Sequence, residues 1–205
     1  MGNVIGKAHP RLIAVDDGAF DRGDTWAPLA VVVVSLPEAV ESVALGRVAV
    51  DGRDATDVIE TMVTASPGAQ GGHAILLDGI TVGGFNLIDM ARLHRRLGKP
   101  VIALTRRPPD FDRVRAALRK YFPNDFRRRW RLASAHRLFP VRTSGEPLWA
   151  AVVGCRRADA ISLLQRSALR GFWPEPLRLA HLIAHAAGAG GLTGGRGKSR
   201  RDEPI

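Results

Sequence analysis

The stretch His-Ala-Ile-Leu-Leu-Asp-Gly-Ile-Thr-Val-Gly-Gly-Phe-Asn, residues 73–86, decides the fold of this chain. Its apolar run, Ala74 to Leu77, is too short for a helix and predicts a strand that is buried on both faces. A helix is expected from about Phe85 to Leu97, and Val101 to Leu104 predicts another buried strand. The resulting right-handed crossover places Asp78 at the carboxyl end of a central strand, where open α/β sheets bind ligands.

The patterning on either side of this unit extends the sheet. Apolar runs predict further strands at 11–15, 29–36, 47–50 and 148–154, and helical periodicity predicts helices at 55–65, 111–122, 156–167 and about 173–187. The interval 37–45 fits either a strand or a short helix. Short connections favour antiparallel pairing and helical crossovers favour parallel pairing. The predicted fold is therefore α/β, a mixed sheet with helices on both faces.

Length and composition indicate one domain. The chain has 205 residues, 45% of them hydrophobic, which is enough for a full core. We expect the domain at 1–187 and a disordered, basic, Gly-rich tail at 188–205. No apolar run approaches the roughly 20 residues of a membrane span, and no signal peptide is recognisable. The single cysteine, Cys155, excludes an internal disulfide. The expectation is a cytoplasmic protein without membrane contacts or a disulfide-linked partner.

The charge balance is strongly basic. Thirty lysines and arginines stand against twenty aspartates and glutamates, a net charge of +10. The arginines cluster at 106–107, 113–119, 127–131 and 156–157. Guanidinium groups match phosphate, so this charge fits a nucleic-acid partner. A solvated basic surface, or a genome biased toward arginine, explains it equally well.

Acidic residues follow three of the predicted strands. Asp16 and Asp17 follow the first, Asp51 and Asp54 the third, and Asp78 the fourth. If these strands are neighbours, the carboxylates converge and repel one another unless a cation is bound. Oxygen-rich sites with no cysteine suit Mg²⁺ or Mn²⁺, and such an ion beside a basic surface is the arrangement for phosphodiester hydrolysis.

Simpler interpretations exist for each of these motifs. Every Asp-Gly step also fits a plain turn. The Gly83-Gly84 pair before a helix could cradle a phosphate, but the Lys-Ser/Thr of a P-loop is missing. His181 and His185 lie one helical turn apart, and no metalloprotease glutamate follows His181, so a zinc pair is not expected.

Four stretches, 15–20, 50–56, 77–86 and 174–181, resemble the family long labelled domain of unknown function ninety-nine. That family is similar to endonuclease V and is associated with a deoxyuridine endonuclease activity. The resemblance covers about residues 8–187. It implies a ribonuclease H-like fold with a mixed five-stranded sheet flanked by helices, and a dependence on Mg²⁺ or Mn²⁺.

The endonuclease V resemblance also implies a catalytic set, namely Asp16, Asp54, Asp78, Arg106 and His181, with the three aspartates as metal ligands. The second acid is a glutamate in endonuclease V, so Asp51 competes with Asp54 for that role. The histidine after the Asp-Gly step is Ile80 here, and the second histidine of that loop is Gly84. The Pro-Tyr-Ile-Pro wedge of endonuclease V is missing, and we favour deoxyuridine over deoxyinosine.

The expected function is metal-dependent nicking of lesion-bearing DNA, at or near a deaminated base, in DNA repair. The expected nucleic-acid contacts are Gly79, Gly83, Gly84, Arg106, Arg107, Arg127, Arg128 and Arg129. Two alternatives stay open: a non-catalytic nucleic-acid-binding module of the same fold, and an RNA endonuclease. A pure binding module has no need for converged carboxylates, which repel phosphate when no cation is bound.

Overall fold

The structure is a computed structural model that describes residues 9–21 and 23–190. The strands are β1 (Arg11–Asp17), β2 (Trp26–Ser35), β3 (Ala39–Ala49), β4 (Ala74–Asp78), β5 (Thr81–Val82), β6 (Asn86–Leu87), β7 (Val101–Thr105), β8 (Phe139–Val141) and β9 (Leu148–Val153). The helices are α1 (Ala55–Ala65), α2 (Pro67–Gln70), α3 (Met90–Leu97), α4 (Phe111–Tyr121), α5 (Phe126–Ala133), α6 (Arg157–Ser167) and α7 (Glu175–Gly190). Within the described ranges, every helix is too short or too polar to cross a membrane.

The main sheet has the strand order β3-β2-β1-β4-β7-β9-β8. β1, β4 and β7 are parallel to one another and form its centre, while β2 and β3 on one side and β9 and β8 on the other are antiparallel to their neighbours. The predicted mixed α/β sheet is confirmed, but the count of five strands is wrong, because the sheet has seven. The interval 37–45 is mostly strand, since β3 begins at Ala39.

Helices cover both faces of this sheet, and side chains alternate between the two faces along each strand. On the first face, Leu12 and Ala14 of β1 pack in one core with α6 and α7. On the second face, Ile13 and Val15 pack in another core with α1 and α3. We refer to these as the α7 face and the α1 face. Burial on both faces explains why the central strands are almost wholly apolar.

The segment after β4 differs from the predicted helix at 85–97. Residues 81–87 form a small hairpin of β5 and β6, and α3 begins only at Met90. Gly83 and Gly84 take φ values of 53° and 81°, a left-handed conformation that turns the chain instead of starting a helix. Asp89 caps α3 by accepting a hydrogen bond from the Arg92 amide at 2.8 Å.

At the other end, the helix predicted to stop near Ala187 continues to Gly190. The rest of the tail expected to be disordered, 191–205, lies outside the described residues.

Candidate active site

Two aspartates lie side by side where β1 and β4 end. The parallel register pairs Val15 with Leu77, and the next residue of each strand is an aspartate, Asp16 and Asp78. Alternation places both on the α7 face, because Ala14 and Leu76 belong to that core. The two carboxylates therefore meet at one edge of the sheet.

The third member of this cluster is His181, which comes from α7. Nδ1 of His181 lies 2.9 Å from Oδ2 of Asp16, within hydrogen-bond distance. One ligand atom from each of Asp16, Asp78 and His181 lies within 4.8 Å of the other two. The helix can lie this close because Gly18 has no side chain, and a Cβ there would stand 2.1 Å from the Ala184 carbonyl oxygen.

The electrostatics of the cluster favour a bound cation. Asp16 is only 4% exposed, and burial, with the charges of Asp78 and Asp17, raises its pKa to about 8. Burial also raises the pKa of Asp78, against the opposing positive charge of Arg106. Two carboxylates, one buried and one half-buried, and an imidazole are ligands that divalent ions such as Mn²⁺ and Mg²⁺ accept, and such an ion would offset the repulsion. The residues present therefore fit a divalent metal.

Arg106 lies beside these acids, just past the end of β7. Leu104 of β7 pairs with Asp78 and faces the α7 core, so Arg106 is expected on that face as well. Its guanidinium carbon is 5.1 Å from the ring centroid of Trp173 and 5.9 Å from that of Phe172. The side chain is exposed and held near Asp78, where it could contact a phosphate.

The structure does not bring Asp54 into this group. Its carboxylate accepts hydrogen bonds from the Ala49 amide at 3.2 and 3.3 Å and from the Asn86 side-chain amide at 2.5 Å. The alternative acid, Asp51, accepts a hydrogen bond from the Phe85 amide at 2.8 Å. Both acids thus anchor the β5–β6 hairpin to the end of β3, and the assignment of a second metal-binding acid stays a prediction.

The glycines expected to cradle a phosphate use their amides within the protein. The Gly83 N–H donates to Oδ2 of Asp17 at 2.7 Å, and the Gly79 N–H donates to the Leu104 carbonyl at 2.7 Å. A Cβ on Gly84 would stand 2.5 Å from the Asp51 carboxylate. The positive φ values of both glycines, with the close packing of Gly84 against Asp51, therefore explain the Gly-Gly pair without a ligand.

The arginines predicted to grip phosphate divide into two groups. Arg107 and Arg127 are exposed, and Arg128 is half-buried. The prediction that Arg129 contacts phosphate is wrong, because this residue is only 3% exposed. Its guanidinium donates to the carbonyls of Phe85 and Asp51 and pairs with Asp125 at 3.0 Å. Arg129 therefore holds the loops around the site together from inside.

An apolar pocket opens on the α1 face, on the opposite side of the sheet from the acids and at the ends of β4 and β7. Its volume is about 260 Å³. It is lined by Gly79, Ile80 and Thr81 after β4, by Phe85 and Leu87 of the hairpin, by Ala103, Leu104, Thr105 and Ala151 of β7 and β9, by Pro109, Phe111, Val114 and Leu118, and by Ala133, His136 and Leu138. Since Gly79 directly follows Asp78, the pocket and the acid cluster share one edge of the sheet.

Three residues near the site were not assigned from the sequence. Asp17 faces the hairpin, and burial raises its pKa. The His185 ring centroid is 4.4 Å from that of His181. His136 lines the pocket, and burial lowers its pKa. Strand alternation was a usable signal for Asp17, and the spacing of four was one for His185, whereas nothing local in the sequence indicates His136.

The chain is similar to known proteins in both sequence and structure. The model of the endonuclease dU family matches residues 8–188. A UPF0215 protein of Methanothermobacter thermautotrophicus is 38% identical over 180 residues, which cover 87% of each chain. A crystal structure of a protein of unknown function from Archaeoglobus fulgidus is 31% identical with a TM-score of 0.77, covering 86% of this chain and 97% of that one.

A more distant likeness identifies the fold. The crystal structure of human endonuclease V has a TM-score of 0.59 at 16% identity, covering 90% of this chain and 88% of that one. At that identity the likeness concerns the fold alone, which is ribonuclease H-like, as expected. The family model and the relative at 38% identity span nearly the whole domain. The chain therefore belongs to the endonuclease dU family.

Proposed function

We propose that this protein is a metal-dependent endonuclease that nicks DNA at or near a deaminated base, with deoxyuridine favoured over deoxyinosine, and so acts in DNA repair. The observation that carries the proposal is the convergence of Asp16, Asp78 and His181 within 4.8 Å. Membership of the endonuclease dU family supports the same reaction class. A binding module would gain nothing from buried acids that repel phosphate.

Asp16, Asp78 and His181 would hold the divalent ion. When bound, Mg²⁺ or Mn²⁺ supplies an activated water and neutralises charge on the scissile phosphate. The hydrogen bond between Asp16 and His181 orients the imidazole, which leaves Nε2 free for a ligand. In this proposal Arg106 binds a phosphate oxygen and orients the strand, which its position beside Asp78 supports.

The apolar pocket offers a place for an extruded base. A deaminated base in a mispair is cheaper to extrude than a normal base, so extrusion itself selects the lesion. The pocket walls are mainly apolar, while Thr81, Thr105 and His136 supply polar groups for the edge of a base. The neutral imidazole that burial favours at His136 can both donate and accept a hydrogen bond.

The test is a nicking assay with purified protein in Mg²⁺ or Mn²⁺. Labelled duplexes carry uracil, hypoxanthine, xanthine or no lesion, and matched RNA strands carry uridine or inosine. We expect metal-dependent nicking of the uracil duplex, and its loss in Asp78→Asn. Cleavage confined to RNA would favour the RNA endonuclease, and binding without cleavage of any strand would favour the non-catalytic module.

A further inference from the structure

The helical hairpin of α4 and α5 carries a dense positive charge. Residues 106–131 contain ten arginines and lysines against three aspartates. Two of these arginines, Arg115 and Arg119, lie one turn apart on α4 and are exposed. Together with three aromatic side chains, Phe111, Phe126 and Trp130, they form what we call the arginine seam.

Aromatic rings hold both guanidinium groups of the arginine seam in place. The guanidinium carbon of Arg115 is 5.6 Å from the Trp130 ring centroid, and that of Arg119 is 5.2 Å from the Phe126 centroid. Phe126 and Trp130 are nearly parallel, with centroids 6.5 Å apart, and the Phe111 ring meets Trp130 edge-on at 6.3 Å. A guanidinium that packs on a ring keeps its N–H edges free for a phosphate.

The charge of the arginine seam is not neutralised by acids. Among the described residues, no carboxylate forms an ion pair with Arg115 or Arg119. Some exposed arginines elsewhere have such partners, as in Arg11 with Glu41 and Arg156 with Asp159, both at 2.8 Å. In Arg115 and Arg119, by contrast, two neighbouring guanidinium groups are held on rings in a strongly basic hairpin, an arrangement that suits a polyanion from outside the chain.

The arginine seam also lies against the pocket. Phe111 belongs to both, and Val114, Leu118 and Ala133 of the same two helices line the pocket wall. A strand that delivers a base into the pocket must therefore pass beside this hairpin. The backbone phosphates next to that base are the nearest polyanion.

We infer that Arg115 and Arg119 bind phosphates of the nucleic-acid strand whose base enters the pocket. This inference rests on the proposed function, since it takes that strand to be the substrate. It adds a second contact surface, distinct from Arg106 and from the acid cluster. Because phosphates carry no sequence information, the seam fixes the position of the strand and not the choice of base.

The experiment measures binding to a uracil duplex and to a single strand by anisotropy, in EDTA, across about 50–200 mM salt. The test variant is Arg115→Gln with Arg119→Gln. The matched control is Arg95→Gln with Arg157→Gln, two exposed arginines of which Arg157 packs on the Phe139 ring at 5.0 Å. We expect the salt slope of the test variant to fall by about 1.4 on the single strand and about 1.8 on the duplex. The control should keep the wild-type slope.

A lysine variant, Arg115→Lys with Arg119→Lys, separates charge from packing. Lysine keeps the positive charge but loses the planar guanidinium, so the salt slope should stay at the wild-type value. A slope reduced in the lysine variant, an unchanged slope in the glutamine variant, or an equal loss in the control would each overturn the inference. Absence of any binding by the wild type would overturn it as well. If the glutamine variant shows the expected reduction in salt slope but the wild type nicks no substrate, the proposed endonuclease fails and the arginine seam stands. If the wild type nicks the uracil duplex but the glutamine variant binds with the wild-type salt slope, the endonuclease stands and the arginine seam fails.

Discussion

Nδ1 of His181 and Oδ2 of Asp16 lie 2.9 Å apart although 165 residues separate them in the chain. The contact joins the last helix to the first strand, and Asp78 completes the cluster from the centre of the sheet.

Asp78→Asn should abolish cleavage and preserve binding to lesion-bearing DNA. Asparagine keeps the shape of the side chain and suits the turn at Gly79, but it removes one charge and a strong ligand for a hard cation. The measurement pairs the nicking rate in Mn²⁺ with affinity in EDTA. Asp159→Asn, at a half-buried acid of α6 that pairs with Arg156 away from the cluster, serves as the control. Normal nicking by a folded Asp78→Asn variant would leave this residue with a role in the turn alone.

The metal-free protein should lose stability as pH rises from about 4 to about 8. The pKa of Asp16 is raised to about 8 from an ordinary value of 3.8, so the folded state keeps a proton that the unfolded state releases in this range. Thermal unfolding in EDTA across this window should show the decline, and Asp16→Asn should flatten it. Adding Mn²⁺ at pH 8, at a hundred times its Kd, should raise the free energy of unfolding of the wild type by about 2.7 kcal/mol and its thermal midpoint with it. An equal decline in the variant would contradict the assignment to Asp16.

Asp54→Ala should destabilise the fold while leaving metal affinity near the wild-type value. The variant removes the acceptor of the Ala49 amide and one of the two acceptors of the Asn86 side-chain amide, which keeps the Ala49 carbonyl. Loss of such bonds costs about 1–3 kcal/mol when the groups are buried. Urea unfolding measures the first effect, and titration with Mn²⁺ measures the second. A loss of affinity as large as that of Asp78→Asn would instead establish Asp54 as a ligand.

Arg129→Ala should destabilise the protein by about 1–3 kcal/mol, because it removes buried hydrogen bonds and one of the arginine partners of Asp125, which keeps Arg53 at 2.9 Å. It also removes the donors to the Phe85 and Asp51 carbonyls. Arg127→Ala, on the same helix but exposed, should change the free energy of unfolding by less than about 0.5 kcal/mol. Comparable denaturation midpoints for the two variants would refute the structural role of Arg129.

The sequence was sufficient to predict the central strands of the sheet and the two aspartates at their ends. Short apolar runs predicted the buried strands, and an aspartate directly after two of them predicted that Asp16 and Asp78 would meet at one edge. The placement of His181 came only from the resemblance to endonuclease V, because helical spacing does not show which strand a histidine approaches.

The errors arose where long-range contacts decide the outcome. In the sequence, Arg129 is the last of three consecutive arginines, a pattern typical of a surface. Its burial is explained by its hydrogen bonds to the distant carbonyls of Phe85 and Asp51. Asp54 remains a predicted ligand, but its carboxylate has a partner that the sequence did not indicate, the side-chain amide of Asn86, 32 residues away. The hairpin at 81–87 displaced the predicted helix because two consecutive glycines adopt positive φ values, which composition alone does not reveal.

Docking of α7 on β1 has a consequence for synthesis of the protein. His181 is among the last residues of the domain to leave the ribosome, after the strands that carry both aspartates. A nascent or truncated chain that ends before Glu175 holds the acids without the imidazole and without the helix that covers them. The cluster is thus completed only once translation of the domain is nearly finished, which delays any cutting activity until the whole fold exists.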